Sequence, residues 1–133
     1  MNTLLIDDDS IGVFLTERLL QREGFTDETT AFSSAQLALD FLEQAAPEEL
    51  PQVIFLDLNM PLMNGWEFLE ALRPLESRLL GRCAIFILTS SLAHSDTART
   101  SEFPLVAGLI HKPLDKLQIQ AVREQMAGRT DEA

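Results

Sequence analysis

The 133-residue sequence predicts one α/β domain, a three-layer sandwich in which helices cover both faces of a five-stranded parallel sheet. Short apolar runs of strand length alternate along the chain with segments whose apolar residues recur at helical spacing. The length fits one compact domain, and the 46% of hydrophobic residues is enough for a packed core. Because functional residues of such sheets follow the carboxyl ends of strands, the residues after each strand are the first site candidates.

Five segments are predicted as strands. The run Val53–Leu56 is the clearest, because short and wholly apolar runs are typical of strands buried on both faces. Glu28–Phe32 is the weakest candidate. The full set is Thr3–Ile6, Glu28–Phe32, Val53–Leu56, Ala84–Leu88 and Val106–Ile110.

The first two helices are predicted from their capping residues and apolar spacing. Asp9 or Ser10 is expected to cap the first helix, which Gly24 ends. Ser33 or Ser34 is expected to cap the second.

Three further helices follow in the prediction. The third starts near Gly65 and is limited or bent by Pro74. The polar segment His94–Phe103 is a weak candidate for the fourth, and Asp115 is expected to cap the last. The domain is predicted to span residues 1–127, with residues 128–133 forming a frayed tail.

Composition argues against two classes of partner. The net charge of −11 repels phosphate backbones, and the basic residues form no patch, so nucleic-acid binding is not expected. No apolar run reaches the roughly 18 residues of a membrane span, and no signal peptide is visible, so we expect no membrane partner and a cytoplasmic location. The single cysteine, Cys83, fits a reducing compartment and is expected to be a buried filler.

Acidic, hydroxyl and basic side chains follow four of the five predicted strands. They are Asp7, Asp8 and Asp9 after the first, Asp57 and Asn59 after the third, Thr89 and Ser90 after the fourth, and Lys112 with Pro113 after the fifth. Two like charges about 4 Å apart repel by roughly 4 kcal/mol at an effective dielectric of about 20, so converging carboxylates favour a bound dication. Oxygen ligands select Mg²⁺ or Ca²⁺, and a site with few ligands that is open to water favours Mg²⁺.

The same set of groups is suited to phosphoryl transfer. A carboxylate can attack phosphorus, and the transferred group then needs cations and donors around its oxygens, which Lys112 and Thr89 could supply. Each residue also has a purely structural interpretation: Asp9 as a helix cap, Asp57 as a turn residue, Thr89 as a strand or cap residue, and Lys112 as a solvated loop lysine.

Four motifs, taken together, resemble the receiver domain of bacterial response regulators over residues 2–127. They are LLIDDDS, FLDLNMPLMNGWEFL, ILTSS and HKPL, in the order and at the spacing of that family. The resemblance implies a flavodoxin-like fold with strand order 2-1-3-4-5. It also implies a switch that is phosphorylated with Mg²⁺ as cofactor, not an enzyme acting on a separate substrate.

The resemblance also implies a role for each matching residue. Asp57 would be the phosphoacceptor. Asp8, Asp57 and the Asn59 backbone carbonyl would ligate Mg²⁺, with Asp7 acting through a water. Thr89, with Ser90 beside it, would bind the phosphoryl oxygens and act as the switch, and Lys112 would pair with the phosphate. Pro61, Gly65 and Pro113 would shape the loops, the Lys112–Pro113 peptide being typically cis in the family.

Two positions need separate expectations. Leu109 stands where many receivers carry Tyr or Phe, so this chain departs from the usual aromatic switch: either Leu109 makes a smaller movement or the output uses other contacts. Trp66 is expected to be a half-exposed ring near the acidic site. His94 and His111 are expected to be surface residues.

We therefore expect a stand-alone response regulator, monomeric or weakly dimeric. Its partners would be a sensor histidine kinase or histidine phosphotransfer protein and an unknown downstream protein. The family's usual contact surface lies on the fourth and fifth predicted helices and strand five.

Three alternatives are weighed against this function. One is a receiver fold that acts as a binding module without phosphorylation. A second is an Asp-nucleophile phosphatase, disfavoured because Asn59 stands where such enzymes need an acid. A third is a nucleotide-binding module, disfavoured by the Asp-rich first turn.

Overall fold

The computed structural model describes residues 2–25, 28–90 and 98–132. Five parallel strands form one sheet in the order β2-β1-β3-β4-β5. Their bounds are β1 (Asn2–Ile6), β2 (Glu28–Phe32), β3 (Val53–Asp57), β4 (Ala84–Thr89) and β5 (Val106–His111). The predicted fold class and strand order are confirmed, and every predicted strand end lies within one residue of the observed one.

Helices connect the strands on both faces of the sheet. The α-helices that lie wholly within the described residues are α1 (Ser10–Arg22), α2 (Ala35–Gln44), α3 (Gly65–Ala71), α4 (Glu76–Leu79) and α5 (Lys116–Glu132). Single 3₁₀ turns occur at Pro47–Glu49, Arg73–Leu75 and Thr100–Glu102. Among these helices, none combines the length and the apolar character that crossing a bilayer would require.

Three helix predictions differ from the structure or extend beyond it. The short α4 was not predicted. The first part of the candidate helix His94–Phe103 lies outside the described residues. Within its described part, Ala98 and Arg99 are helical and the 3₁₀ turn Thr100–Glu102 follows. Helix α5 continues past Gly128, where the sequence predicted the start of a tail, and fraying of those residues stays a prediction.

Side-chain caps fix where the longer helices begin. Asp9 Oδ1 accepts a hydrogen bond from the Ile11 amide at 3.1 Å, and Ser34 Oγ accepts one from the Leu37 amide at 3.2 Å. Of the two candidates predicted for each helix, Asp9 therefore caps α1 and Ser34 caps α2. Asp115 precedes α5 and accepts from the Gln118 amide at 2.8 Å, as expected for a cap.

Alternate side chains of the buried strands point to opposite faces, and each face has its own apolar core. One core packs strand residues such as Leu4 and Ile54 against α2, α3 and α4. The other packs Leu5 and Phe55 against α1 and α5. Strand β3 is buried along its whole length, because β1 and β4 flank it and helices cover both its faces. Cys83 lies in the first core and is buried, as predicted.

Two arginines close the ends of α1 and α2. Arg78 donates from its guanidinium to the carbonyl oxygens of Leu42, Glu43 and Ala45, at 2.9–3.3 Å. Arg123 donates to the Glu23 carbonyl at 2.7 Å. These carbonyls lack partners inside their helices, so the arginines satisfy them and complement the negative helix ends.

The outermost strand β5 is partly covered by glutamines of α5. Gln125 Nε2 donates to the Ala107 carbonyl at 3.0 Å, and Gln118 Nε2 donates to the His111 carbonyl at 3.2 Å. Two backbone acceptors of an edge strand therefore already have partners within the chain.

Candidate functional site

Three carboxylates meet where β1 and β3 end. The strands are hydrogen-bonded neighbours with Ile6 opposite Leu56, so the residues that follow leave the sheet side by side. Asp7, Asp8 and Asp57 each place one carboxylate oxygen within 4.8 Å of the others. Asp57 is buried and Asp8 is exposed. The structure thus brings together the three acids that the sequence predicted to converge.

Lys112 reaches this acidic group from the end of β5. Its Nζ lies 3.1 Å from Asp7 Oδ2 and 3.3 Å from Asp57 Oδ1. Its backbone amide donates to the Thr89 carbonyl at 2.8 Å, which ties the ends of β4 and β5 together. One ammonium therefore bridges two of the three acids. The site still has an excess of negative charge.

Burial and neighbouring charge act together on Asp57. Its burial, and next the negative charge of Asp7, raise the pKa of the Asp57 carboxyl, while the charge of Lys112 and the Asn59 amide oppose the rise. The pKa of Lys112 is also raised. Its burial alone would lower that pKa, but the hydrogen bond to Asp7 and the charges of both acids outweigh the burial.

Hydroxyl and amide groups line the same edge. Thr89 is buried and follows Leu88, the residue paired with Asp57 in the sheet. Ser90 comes next and is exposed. The Asn59 amide donates to Asp57 Oδ1 at 3.4 Å, a long hydrogen bond. Thr89 is thus the last residue of β4 and Ser90 follows it, so both predicted phosphoryl-binding residues lie at the strand end adjacent to Asp57.

The loop between β3 and α3 packs closely against the backbone of Asp57 and Leu58. A Cβ at Gly65 would lie 2.9 Å from the Asp57 carbonyl oxygen and 2.9 Å from Leu58 Cα, so only glycine fits without a shift. The Gly65 amide donates to the Leu58 carbonyl at 3.0 Å. Asn64 Oδ1 accepts from the Glu67 amide at 2.9 Å, and this cap starts α3.

Two prolines belong to the loops around the site. The Pro61 carbonyl accepts from the Met63 amide at 2.7 Å, and the exposed Leu62 between them has a φ of 68°. The Lys112–Pro113 peptide is cis, as the family resemblance implied.

The family model of the response regulator receiver domain matches residues 3–123. The chain is a response regulator receiver domain. It is similar to the crystal structure of a response regulator receiver protein from Dyadobacter fermentans, with 31% identity, a TM-score of 0.84 and 98% of both chains covered. A two-component response regulator from Cytophaga hutchinsonii aligns with 27% identity, a TM-score of 0.84 and 96% of both chains covered.

Curated relatives are regulators of differing length. The probable methanogenesis regulatory protein FilR2 of Methanothrix harundinacea is 28% identical over 131 residues, which is 94% of this chain and 83% of that protein. The transcriptional regulatory protein PrrA of Mycobacterium tuberculosis is 35% identical over 74 residues, 56% of this chain. The receiver domain matches only 29% of the length of PrrA, so the match does not extend to most of that regulator.

Trp66 of the receiver domain contradicts the expectation of a half-exposed ring. It is 9% exposed, and its ring stacks on Phe103 with centroids 5.9 Å apart. The guanidinium carbon of Arg99 lies 4.7 Å from the centre of the Trp66 ring. No local sequence signal indicates this contact, because Phe103 is 37 positions away and lies in the next connection between strands.

Leu109 and His111 belong to β5, one of the two edge strands of the sheet in the receiver domain. Leu109 is half-buried and packs against the core on the α2 and α3 face, so a switch there would move an aliphatic side chain. His111 is exposed, as expected. His94 lies outside the described residues.

Proposed function

We propose that this receiver domain accepts a phosphoryl group on Asp57 from a histidine kinase or a histidine phosphotransfer protein, in a reaction that depends on Mg²⁺. One observation supports this function above the others: one oxygen from each of three carboxylates lies within 4.8 Å of the other two, and among the described residues Lys112 alone brings a cation to them. A purely structural cluster would be stabilised by pairing each acid, whereas this one retains an excess of negative charge that a dication would offset.

The donor set fits Mg²⁺. All three side chains offer oxygen, the ligand type of hard cations, and exposed Asp8 leaves room for the waters that Mg²⁺ retains. Asp8, Asp57 and the Asn59 carbonyl would hold the ion, with Asp7 acting through a water. When bound, the ion neutralises charge on the phosphoryl oxygens and on the acids.

Asp57 is suited to be the nucleophile. Its contacts with Lys112 and the Asn59 amide, among the described residues, are both made by Oδ1, so Oδ2 is the oxygen left to attack. Attack forms an O–P bond while the P–N bond of a phosphohistidine, or the P–O bond of an acyl phosphate, breaks and its electron pair leaves with the donor.

Lys112 and Thr89 stabilise the product. The ammonium lies 3.3 Å from Asp57, close enough to move onto a phosphoryl oxygen when Asp57 loses its charge as an acyl phosphate. The Thr89 hydroxyl, at the end of β4, donates to another phosphoryl oxygen and couples phosphorylation to β4.

The output is a change of protein contacts or onward transfer of the phosphoryl group, and the domain has no separate substrate. The contact surface would include β5 and α5.

The test is incubation with Mg²⁺ and acetyl phosphate, followed by intact mass measurement. We expect one phosphoryl adduct in the wild type and none in Asp57→Asn or after chelation of the metal. Asp40→Asn is the matched control: Asp40 is an exposed acid on α2 that pairs with Gln36, so its variant is expected to be phosphorylated normally. An adduct that persists in Asp57→Asn would exclude Asp57 as the acceptor, and a wild type without any adduct would refute the proposed function.

A further inference from the structure

Trp66 joins two segments that both supply the acidic site. It follows Gly65, whose backbone lies so close to Asp57 that a Cβ would be 2.9 Å from the Asp57 carbonyl oxygen. The Gly65 amide is also bonded to Leu58. The start of α3, and with it the Trp66 backbone, is therefore held against the phosphoacceptor strand.

The other side of the contact belongs to the connection between β4 and β5. Phe103 is 2% exposed, and its carbonyl accepts from the Val106 amide at 3.0 Å, which sets the beginning of β5. Strand β5 then runs directly to Lys112, which pairs with Asp57. The Trp66–Phe103 stack thus links the Asp57 loop to the segment that lies between Thr89 and Lys112.

Two guanidinium groups complete this contact. Arg99 lies over the Trp66 ring, and Arg73 lies over the Phe103 ring at 4.6 Å. Arg73 is itself held by Glu70 at 2.8 Å and donates to the Glu102 carbonyl at 3.4 Å. Each ring therefore has an arginine at its face. The arginine over the Trp66 ring comes from the β4–β5 connection, and the arginine over the Phe103 ring comes from the turn after α3.

We propose that Trp66 is a positioning residue for the chemistry at Asp57. Through Phe103 it holds the start of β5 against the Asp57 loop. This fixes where Lys112, and Thr89 whose carbonyl bonds the Lys112 amide, stand relative to an incoming phosphoryl group. This inference rests on the proposed function. Trp66 does not belong to the metal-binding set, so its loss affects the transfer step and leaves binding of Mg²⁺ unchanged.

The experiment compares Trp66→Leu, Trp66→Phe and Phe25→Leu with the wild type. Phe25 offers a matched contact at the opposite end of the sheet, because it is 3% exposed, lies 6.2 Å from the Phe55 ring and has Arg123 at 5.9 Å. Each variant is measured for thermal stability, for the Kd of Mg²⁺ by calorimetry, and for the rate of phosphorylation by acetyl phosphate.

We expect Trp66→Leu to lower the phosphorylation rate about tenfold, since small misplacements of reacting groups are costly, while the Kd of Mg²⁺ changes by less than about twofold. Trp66→Phe, which keeps a stacking ring, is expected to restore most of the rate. Phe25→Leu is expected to lower stability and leave the rate at the wild-type value.

Two results would overturn the inference. A wild-type rate in Trp66→Leu would show that the stack has no part in the transfer, and an equal loss of rate in Phe25→Leu would show that the rate merely follows stability. If the wild type itself binds Mg²⁺ but takes no phosphoryl group, the proposed function fails and this inference fails with it. The wild-type arm separates that case from a failure of Trp66 alone.

Discussion

Charged side chains have opposite effects on stability at the two ends of the sheet. At the amino end, Arg78 and Arg123 bind the free carbonyl oxygens of α2 and of the residue that ends α1, so charge stabilises the fold there. At the carboxyl end, Asp7, Asp8 and Asp57 crowd together with only Lys112 between them, among the residues that the structure describes. The contrast indicates that the amino end supports the fold, whereas the carboxyl end retains an unfavourable arrangement that a ligand can relieve.

The largest expected effect tests whether the carboxyl end is tightly packed. Gly65→Ala places a methyl group less than 3 Å from the Asp57 carbonyl and from Leu58, so we expect a loss of about 3 kcal/mol in the free energy of unfolding. Urea unfolding measures this loss. The control is Gly128→Ala, since nothing lies within 4 Å of a Cβ added to that helical glycine, and no loss is expected there. Tolerance of Gly65→Ala would show that the loop can move away from the acidic site at little cost.

The next effect tests the amino end. Arg78→Ala removes three hydrogen bonds to the last turn of α2, and we expect a loss of about 2 kcal/mol, since bonds from a charged donor are stronger than neutral ones. Arg82→Ala changes an exposed arginine four residues further along the chain; it is the control and is expected to be near neutral. Equal stabilities of the two variants would remove the contrast between the two ends.

The third prediction is a gain in the free energy of unfolding, whereas the first two are losses. The folded pKa of Asp57 lies above the ordinary value of 3.8, so ionising this carboxyl costs more in the folded chain than in the unfolded chain. Without metal, the wild type therefore loses stability relative to Asp57→Asn as the pH rises from below 3.8 through the folded pKa. At pH 7 we therefore expect Asp57→Asn to be the more stable of the two proteins.

Unfolding in the presence of EDTA over a range of pH measures this difference, and Asp40→Asn is the control. Addition of Mg²⁺ is expected to raise the stability of the wild type and not that of Asp57→Asn. A destabilised Asp57→Asn at pH 7 would mean that the contact with Lys112 outweighs the repulsion among the acids.

The smallest effect concerns backbone strain in the loop beside the site. Leu62 is fully exposed with a φ of 68°, a conformation that Asn and Gly adopt more readily than leucine. We expect Leu62→Asn to raise the stability by about 0.5 kcal/mol. Leu117→Asn, an exposed leucine within helix α5, is expected to lower it slightly. A destabilised Leu62→Asn would indicate that the Leu62 side chain makes a contact that offsets the strain.

The sequence was sufficient for the sheet and for the convergence of the acids. Apolar runs such as Val53–Leu56 are closed by a charged or polar residue, and all parallel strands end at one edge, so position in the sequence translates directly into position in space. The same reasoning predicted that Lys112 lies at that edge. The sequence did not show that Lys112 would bridge Asp7 and Asp57, because this depends on side-chain geometry across strands that are not neighbours.

The sequence patterns did not predict contacts between segments that are far apart along the chain. The exposure of Trp66 was mispredicted because its partner Phe103 comes from another connection, and an isolated aromatic residue after a turn gives no indication of what will cover it. The short α4 was missed for a local reason. It follows Pro74 and comprises only Glu76–Leu79, too few residues to display a helical period.

The two glutamines that bond to β5 affect how readily the domain can aggregate. An outer strand with unsatisfied backbone groups is a template on which a strand of another molecule can add, and the result is aggregation. By occupying the Ala107 and His111 carbonyls, Gln125 and Gln118 leave fewer positions for such an addition. Self-association along β5 is thereby made less favourable.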